Sequence, residues 1–188
     1  MNEQQVLDTF KKLGALLEGH FILRSGLHSR QFFQCALVLQ HAPVAADLCA
    51  ALAAKVDAGK IDAVISPALG GIIVGQEVAR SLGKRHIFAE KEEGKLVLRR
   101  GFAIARGERF LVAEDVVTQG GRVRETIDIV RSRGGVVAAV AVLVDRSTAP
   151  VDFGAPFYAL VKMAVQAFPP DKLPPDLAST PAVKPGSK

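Results

Sequence analysis

The chain has 188 residues, of which 49% are hydrophobic and 23% are charged, and its formal net charge is +5. This length suffices for one folded domain with a full core, and the composition is ordinary for a globular protein. The longest wholly apolar run, residues 136–144, is too short to span a bilayer. Since the N-terminus is polar and unlike a signal peptide, the sequence predicts a cytoplasmic protein with no membrane partner.

Charge and cysteine usage limit the possible ligands. The mild positive balance suits anionic ligands such as phosphates, but it does not establish nucleic-acid binding. Cys35 and Cys49 form no C-x-x-C pair, and the four histidines have no metal-ligand spacing, so the sequence predicts no metal site in the protein itself. Free buried thiols in a reducing compartment are the expected state of both cysteines.

The first 40 residues predict a small unit that would cover the mouth of a sheet. Apolar side chains recur at helical spacing over residues 3–17, which predicts the first helix and its end near Gly19. Two short strands, 21–23 and 31–35, are predicted around a polar turn. We call this N-terminal unit, taken largely from residues 1–40, the hood.

Alternating helices and strands are predicted after the hood. A helix over 43–56 precedes a strand over 61–65, a turn of small residues over 66–75, and a helix that ends near Leu82. Small residues at a helix N-terminus let backbone N–H groups approach a phosphate. The turn lacks both G-x-G-x-x-G and the lysine of a P-loop, so neither a dinucleotide nor an ATP-type site is favoured. Further along, the charged segment 89–102 predicts a hairpin with an exposed tip.

The stretch F-L-V-A-E-D-V-V-T-Q-G-G-R, residues 110–122, combines the features of a ligand site. An apolar run over 110–113 predicts a buried strand, Glu114 and Asp115 follow it directly, and a glycine pair then opens a helix. Free N–H groups at the helix start suit a phosphate, whereas the two acids suit sugar hydroxyls or a metal-bound ribose. One ligand that contains ribose and a 5-phosphate accounts for both halves. The alternative is an ordinary strand-to-helix turn with solvated acids.

The C-terminal third contains one long apolar run and a proline-rich tail. Residues 136–144 predict a strand buried on both faces, and Arg146 follows its carboxyl end. A cation there is well placed to meet an anionic substrate, and a salt bridge with a nearby acid is the alternative. Residues 156–161 predict an edge strand. The tail, 169–188, holds six of the ten prolines and is predicted to be extended coil.

The stretch 110–122 resembles the ribose-phosphate loop of the type I phosphoribosyltransferases, whose pattern is an apolar run, two acids, two apolar residues and T-x-G-G. The resemblance implies an α/β fold, with a mostly parallel sheet flanked by helices, in a single domain over 1–188. It also implies that the acids hold the ribose hydroxyls, with Asp115 in a catalytic role beside the developing cation, and that the loop clamps the 5-phosphate. The implied substrate-binding residues of this stretch are Glu114, Asp115, Val116, Val117, Thr118, Gln119, Gly120, Gly121 and Arg122.

The hood narrows the resemblance to the orotate phosphoribosyltransferases, which carry a similar L-K-S-G-x-x-S-x-x-F-F run. The matching residues here are Leu23, Arg24, Ser25, Gly26, Ser29, Phe32 and Phe33. Arg24 departs from the lysine of many relatives, although either side chain supplies a cation for a phosphate. In that family the two aromatic positions border the pyrimidine, and core packing is the alternative for both.

The same resemblance implies roles for two basic residues. Arg146 would bind the orotate carboxylate, because a guanidinium pairs with a carboxylate in a bidentate, directional way. In that family a mobile loop brings basic residues over the active site of the neighbouring subunit, and Lys91 is the implied catalytic cation of this loop. The alternatives for that cation are Lys95, Arg99 and Arg100.

The implied reaction transfers ribose 5-phosphate from 5-phosphoribosyl 1-diphosphate to orotate and gives orotidine 5′-phosphate and pyrophosphate. Magnesium (Mg2+) bound to the diphosphate is the implied cofactor, and the shared loop implies a homodimer. A purine-base phosphoribosyltransferase would share the central loop, but the hood run and Arg146 argue against it. A nucleic-acid-binding regulator of the same fold is the third alternative. The basic residues of this chain are scattered along the sequence, and no appended DNA-binding domain is visible. No nucleic-acid partner is therefore predicted.

Overall fold

The structure is a computed structural model that describes residues 1–23 and 25–185. Arg24, the cation of the hood run, therefore lies outside the described residues. The helices are α1 (Glu3–Lys12), α2 (Ala36–Leu39), α3 (Ala42–Ala53), α4 (Gly70–Leu82), α5 (Gly121–Ser132) and α6 (Pro175–Ala178), with a 3-10 turn at Ala58–Lys60. The strands are β1 (Leu16–Ile22), β2 (His28–Phe33), β3 (Ala63–Pro67), β4 (Arg85–Glu92), β5 (Lys95–Leu98), β6 (Arg109–Val117), β7 (Val136–Asp145), β8 (Phe157–Lys162) and β9 (Ala167–Phe168).

Six strands form the main sheet in the order β5-β4-β3-β6-β7-β8, and every neighbouring pair is parallel except β4 with β5. The predicted α/β fold with a mostly parallel sheet is confirmed. β8 forms an edge, as predicted. The predicted hairpin over 89–102 contains the β4–β5 pair, and positive φ values at Glu93 and Gly94 close its tip.

The core lies on both faces of this sheet. Leu111 and Ala113 of β6 pack with α1, α3 and α4 on one face, whereas Phe110 and Val112 pack with α5 on the other. All four side chains are fully buried. A strand that is covered on both faces needs apolar residues at every position, which is why its sequence shows a continuous apolar run instead of alternation.

The winding of the chain reverses between β3 and β6. The chain leaves β3 through α4 to reach β4 on one side, but it leaves β6 through α5 to reach β7 on the other side. Because β3 and β6 are neighbours, a crevice opens between the loops that follow their carboxyl ends. Open α/β sheets bind ligands at such a point. The topology therefore predicts a ligand site at the loops after β3 and β6.

The hood contains a second sheet, in the order β1-β2-β9. The helical spacing predicts a first helix up to Leu17, but α1 ends at Lys12 and Leu17 lies in β1. Gly14 has a φ of 68°, a left-handed conformation that redirects the chain after the helix. Leu16 then pairs with Phe33 of β2, so the pairing of the two strands overrides the helical spacing.

The prediction of extended coil for the proline-rich tail holds only in part, because a short helix interrupts the irregular chain of residues 169–185. Phe168, just before the tail, pairs with His28 of β2, and α6 lies within the tail. Val183 forms an isolated parallel bridge with Phe21 of β1. The partners of these contacts lie near the other end of the chain, so the composition of the tail alone cannot reveal them.

Gly75 of α4 packs directly over side chains of β3 and β4. Ser66 Oγ and His86 Nε2 are hydrogen-bonded at 2.7 Å. Burial lowers the pKa of His86 to about 4, so its ring is neutral at pH 7. A Cβ at Gly75 would overlap the His86 ring and would lie 2.8 Å from Ser66 Oγ. Glycine is therefore the residue that allows α4 to pack this closely.

We expect Gly75→Ala to lower the free energy of unfolding by roughly 1–3 kcal/mol, because an added methyl group in a packed core displaces its neighbours. Gly121→Ala is a matched control, since nothing lies within 4 Å of the Cβ added there. Urea denaturation of the two variants and the original protein measures the difference. Equal losses in both variants would contradict the close packing of α4 on His86.

Candidate functional site

The two adjacent acids lie within β6 and not beyond it. The apolar run predicts a strand that ends at Ala113, but β6 continues to Val117 because its pairing with β7 reaches that residue. Pairing with β3 stops earlier, at Val112. Beyond Val112, β6 is paired on one side only, and Glu114 and Asp115 border the crevice on the other side.

The loop between β3 and α4 meets the acids through two glycines. A Cβ at Gly70 would overlap the Asp115 carboxylate, and a Cβ at Gly71 would lie 2.9 Å from Glu114 Oε1. Neither position accepts a larger residue unless the carboxyl groups move. The sequence suggests that this small-residue turn approaches a phosphate, but it does not reveal that the turn also packs against the acids of another loop.

Glu114 is 3% exposed, and burial, followed by the charge of Asp115, raises its pKa from 4.5 to about 9. Its Oε1 accepts a hydrogen bond from the backbone N–H of Asp115 at 3.2 Å. Asp115 Oδ1 accepts one from the N–H of Val116 at 2.8 Å. At neutral pH the protonated Glu114 can donate one hydrogen bond and accept others. This suits a sugar diol, whose hydroxyls also donate and accept.

The segment after β6 ends in a helix start that is open to an anion. α5 begins at Gly121, and no side chain in the described part of the chain caps it. The preceding residue, Gly120, has a φ of 76°, and a Cβ there would lie 2.8 Å from Phe153 Cε1. N–H groups of the first helical turn have no partner within the helix, so they can bind a phosphate.

Exposure differs among the residues of this phosphate loop. Val117 is buried and Val116 is half-buried against the core, so their side chains serve packing. Arg122 Nη1 donates to the carbonyl oxygen of Ala68 at 3.3 Å, which links the loop after β6 to the loop after β3. The exposed residues are Thr118, Gln119, Gly121 and Arg122.

Arg146 follows β7 and reaches the same edge of the sheet. Its backbone N–H donates to the carbonyl oxygen of Val117 at 2.8 Å. Burial lowers the pKa of its guanidinium, and its buried Nε has no hydrogen-bond partner among residues 1–23 and 25–185. The alternative of a salt bridge is not observed within those residues. A buried donor without a partner costs free energy, which a ligand with an acceptor atom would recover.

Lys91 lies in β4 and lines a cavity of about 50 Å³ together with Ala68 and Arg122. Glu125 Oε2 accepts a hydrogen bond from the backbone N–H of Leu96 at 3.2 Å, which fastens the hairpin to α5. The structure thus brings Lys91 to the loop after β3 and to the phosphate loop of its own chain.

The three alternatives for the closing cation lie elsewhere on the hairpin. Arg99 Nη1 lies 2.9 Å from Glu92 Oε1, and Arg100 Nε lies 2.7 Å from Glu90 Oε2. Lys95 is exposed and pairs with Glu92 across the hairpin. The two arginines are therefore engaged with carboxylates of their own hairpin.

The two aromatic residues of the hood run differ in burial. Phe33 is 7% exposed, and its ring centroid lies 5.1 Å from that of Phe10. Core packing therefore accounts for Phe33. Phe32 is half-buried, with its ring centroid 5.9 Å from that of Phe21. Of the two, Phe32 is the more accessible to a ligand.

Residues 1–23 and 25–185 were compared with the requirements of membrane-spanning helices, metal sites and disulfides. No helix among them combines the length and the apolar character needed to cross a membrane. They contain no group of three or more His, Cys, Asp or Glu side chains placed to hold a metal ion. Cys35 and Cys49 are free and buried, and burial raises the pKa of both thiols.

Comparison with known sequences gives matches over the whole chain. The sequence model of the phosphoribosyl transferase domain matches residues 38–171. An orotate phosphoribosyltransferase of Heliobacterium modesticaldum is 53% identical over 190 residues, which covers 100% of both chains. One of Pelotomaculum thermopropionicum is 52% identical over 188 residues, which covers 100% of this chain and 99% of that protein.

Comparison with solved structures gives the same fold. The crystal structure of orotate phosphoribosyltransferase from Aeropyrum pernix superposes with a TM-score of 0.71 at 26% identity, over 84% of this chain and 93% of that one. Adenine phosphoribosyltransferase from Thermoanaerobacter pseudethanolicus gives a TM-score of 0.61 at 20% identity, over 71% of this chain and 88% of that one. The second match shows a shared fold alone, so the arrangement of sheet and helices does not select the acceptor base.

The pKa of Glu114 predicts how stability depends on pH. Between pH 4.5 and about 9 the unfolded chain has released a proton that the folded protein retains. The free energy of unfolding therefore falls as the pH rises through this range. The contribution of protonated Glu114 to the free energy of unfolding is complete below pH 4.5 and is lost as the pH rises through 9.

We expect Glu114→Gln to remove this pH dependence, because the amide does not titrate. Urea denaturation between pH 5 and pH 9 measures the slope for the original protein and the variant. Glu93→Gln, at the exposed tip of the hairpin, is the control and keeps the original slope. Equal slopes for Glu114→Gln and the original protein would show that Glu114 is ionised in the folded state.

Proposed function

Because the chain belongs to the phosphoribosyl transferase domain family, we propose that it transfers ribose 5-phosphate from 5-phosphoribosyl 1-diphosphate to orotate. The products are orotidine 5′-phosphate and pyrophosphate, and the chain is an orotate phosphoribosyltransferase, a pentosyltransferase of pyrimidine nucleotide synthesis. Identity of 53% and 52% to relatives of that name, over the whole chain, supports this activity. The observation that carries the choice of base is Arg146, with its partly buried guanidinium and its Nε that lacks a partner within the described residues.

The ribose and its 5-phosphate would occupy the end of β6 and the loop that follows. As the bond from the anomeric carbon to pyrophosphate stretches, the sugar gains oxocarbenium character. Glu114 and Asp115 would hold the hydroxyls, and Asp115 would place a carboxylate near the developing positive charge. The free N–H groups at the start of α5 and the exposed Thr118 would bind the 5-phosphate and fix the sugar for attack.

The diphosphate would lie at the loop after β3, where Gly70 and Gly71 begin α4. Lys91 and Arg122 line the cavity beside Ala68 of this loop, and both cations would meet the leaving group there. Mg2+ would enter with the diphosphate of the substrate, and the Asp115 carboxylate packed against Gly70 is the acidic group that fits beside it. When bound, the ion would neutralise negative charge on the departing pyrophosphate.

The acceptor would bind between the hood and the end of β7. Arg146 would pair with the orotate carboxylate, and the orotate ring nitrogen would then form the new bond to the anomeric carbon as pyrophosphate leaves. Phe32 is the aromatic residue of the hood that is available to border the ring. Positioning and electrostatics supply the catalysis, and no protein nucleophile is required. We also propose a homodimer and a cytoplasmic location, as the resemblance to the orotate phosphoribosyltransferases implies.

We expect Arg146→Ala to lower kcat/KM for orotate by about a hundredfold or more, because an orotate carboxylate at this site would lose its charged partner. The KM for 5-phosphoribosyl 1-diphosphate should change little. Arg146→Lys keeps the charge without the fork and should recover only part of the loss. Arg133→Ala, at an exposed position after α5, is the control. Unchanged orotate kinetics in Arg146→Ala would remove the role given to this residue.

Mixing two inactive variants tests which subunit's site Lys91 serves. We expect Lys91→Ala to lower kcat more than either KM, because the cation would act on the departing pyrophosphate. In hybrids of Lys91→Ala and Arg146→Ala chains, no site is complete if Lys91 serves its own chain. We therefore expect mixing to restore no activity, since Lys91 lines a cavity together with Ala68 and Arg122 of its own chain.

Recovery of about a quarter of the original activity on mixing would instead show that Lys91 reaches the neighbouring subunit, because half of the dimers would be hybrids with one complete site. Lys95→Ala, at the exposed end of the same hairpin, is the control for loss of a positive charge. It should retain activity with both substrates.

A further inference from the structure

The C-terminal segment passes from one edge of the hood sheet to the other. It pairs with β2 through β9, continues through α6, and returns to the outer edge of β1, where Val183 bridges Phe21. We call residues 167–183 the C-terminal strap. Since the hood sheet has the order β1-β2-β9, the strap holds both sides of the β1–β2 hairpin.

Several contacts fasten the strap and the residue before it to β2. His28 pairs with Phe168, and Ser29 Oγ donates to the carbonyl oxygen of Gln166 at 3.0 Å. Arg30 binds the Asp176 carboxylate through two hydrogen bonds, Nε to Oδ2 at 2.7 Å and Nη2 to Oδ1 at 2.8 Å. The Arg30 guanidinium also lies 4.9 Å from the ring centroid of Phe168. Bidentate pairing of this kind fixes orientation as well as distance.

A second set of contacts fastens the strap to β1. The N–H of Ile22 donates to the carbonyl oxygen of Val183, and the N–H of Val183 donates to that of His20, both at 2.9 Å. His20 Nδ1 lies 2.7 Å from the carbonyl oxygen of Thr180, and its Nε2 lies 2.5 Å from Nδ1 of His28. The His20 ring, 5% exposed, thereby joins the strap to both strands of the hairpin.

Between these two attachments the strap packs into the hood. Leu177 of α6 is 3% exposed, so the strap buries an apolar side chain as well as forming hydrogen bonds. A cavity of about 520 Å³ lies beside it, lined by residues of β1, β2, α6 and the segment before β9. The strap is therefore part of the packed hood.

The opposite end of β2 is attached to the candidate active site. The N–H of Gln34 donates to the carbonyl oxygen of Ala15 at 2.8 Å. One residue further, Cys35 is 3% exposed and its Sγ lies 4.0 Å from the carbonyl oxygen of Asp115. β2 is thus held by the strap at one end and runs to the acids of β6 at the other. Phe32, the residue available to border the orotate ring, lies on β2, so a shift of the hairpin at the strap would move it.

We propose that the C-terminal strap positions the β1–β2 hairpin over the acceptor part of the site, with Arg30 and Asp176 as positioning residues. The inference rests on the proposed function, since the hood would border the orotate. The strap contacts neither the phosphate loop nor the loop after β3 among the described hydrogen bonds and ion pairs. Releasing it should therefore weaken acceptor binding more than binding of the ribose-phosphate donor.

Reversing the charges of Arg30 and Asp176 tests their ion pair directly. Arg30→Glu and Asp176→Arg each place like charges together, and the double variant restores opposite charges with the order exchanged. We expect the KM for orotate to rise about threefold to tenfold in each single variant and to recover in the double variant. The KM for 5-phosphoribosyl 1-diphosphate should change less than twofold. The Arg30 and Asp176 side chains are 42% and 53% exposed, so the variants should fold.

A backbone variant tests the attachment to β1. Val183→Pro removes the N–H that binds the carbonyl oxygen of His20, whereas Val183→Ala keeps it, and the Val183 side chain that both variants replace is 55% exposed. Hydrogen exchange at the N–H of Ile22, which donates to the carbonyl oxygen of Val183, reports release of the strap without any substrate. We expect faster exchange and a raised orotate KM in Val183→Pro, and neither in Val183→Ala.

An unchanged orotate KM in all single variants would overturn the positioning role. So would a parallel rise in the KM values for orotate and for 5-phosphoribosyl 1-diphosphate, or no recovery in the charge-exchanged variant. A fully active Val183→Pro with fast exchange would show that the strap can detach without consequence for the acceptor. If the original protein fails to turn over orotate, the proposed function fails, and the acceptor role of the strap fails with it. Exchange at Ile22 would still show whether the strap holds the hairpin, so the two failures remain distinguishable.

Discussion

The close packing of Gly70 and Gly71 against the carboxyl groups of Asp115 and Glu114 is the contact on which the candidate site depends. It exists because the chain winds in opposite directions from β3 and β6, which leaves their carboxyl ends side by side. Burial of Glu114, together with the neighbouring charge of Asp115, raises the pKa of its carboxyl group to about 9. The hydrogen bond from Arg122 of α5 to the carbonyl oxygen of Ala68, just before α4, links the N-terminal ends of the two helices at this crevice.

The remaining parts of the site reach this crevice from other elements. β7 delivers Arg146, the β4–β5 hairpin delivers Lys91, and Cys35, two residues after β2, lies next to the backbone of Asp115. The strap fastens β2 away from the site, and Glu125 fastens the hairpin beside the cavity that Lys91 lines. Rigid support away from the reacting groups is what keeps a site in its productive geometry.

The sequence predicts the local features well because their signals are local. The apolar runs of β6 and β7, the glycine pair before α5 and the exposed tip of the hairpin all appear at the predicted places. Features that depend on residues far along the chain are not predicted from the local sequence. α1 stops early because Leu16 pairs with Phe33, and β6 extends past Ala113 because β7 continues beside it. The fold of the tail depends on β1 and β2, which its own prolines do not indicate.

The most direct test of the account is orotate consumption, followed by its ultraviolet absorbance, with purified protein, 5-phosphoribosyl 1-diphosphate and Mg2+. The account predicts that absorbance falls only when all components are present and that pyrophosphate appears in equal amount. Flat absorbance from a protein that still binds 5-phosphoribosyl 1-diphosphate would contradict the assignment of orotate as the acceptor. Turnover of adenine or another purine base in the same assay would then identify the base to which the protein transfers ribose 5-phosphate.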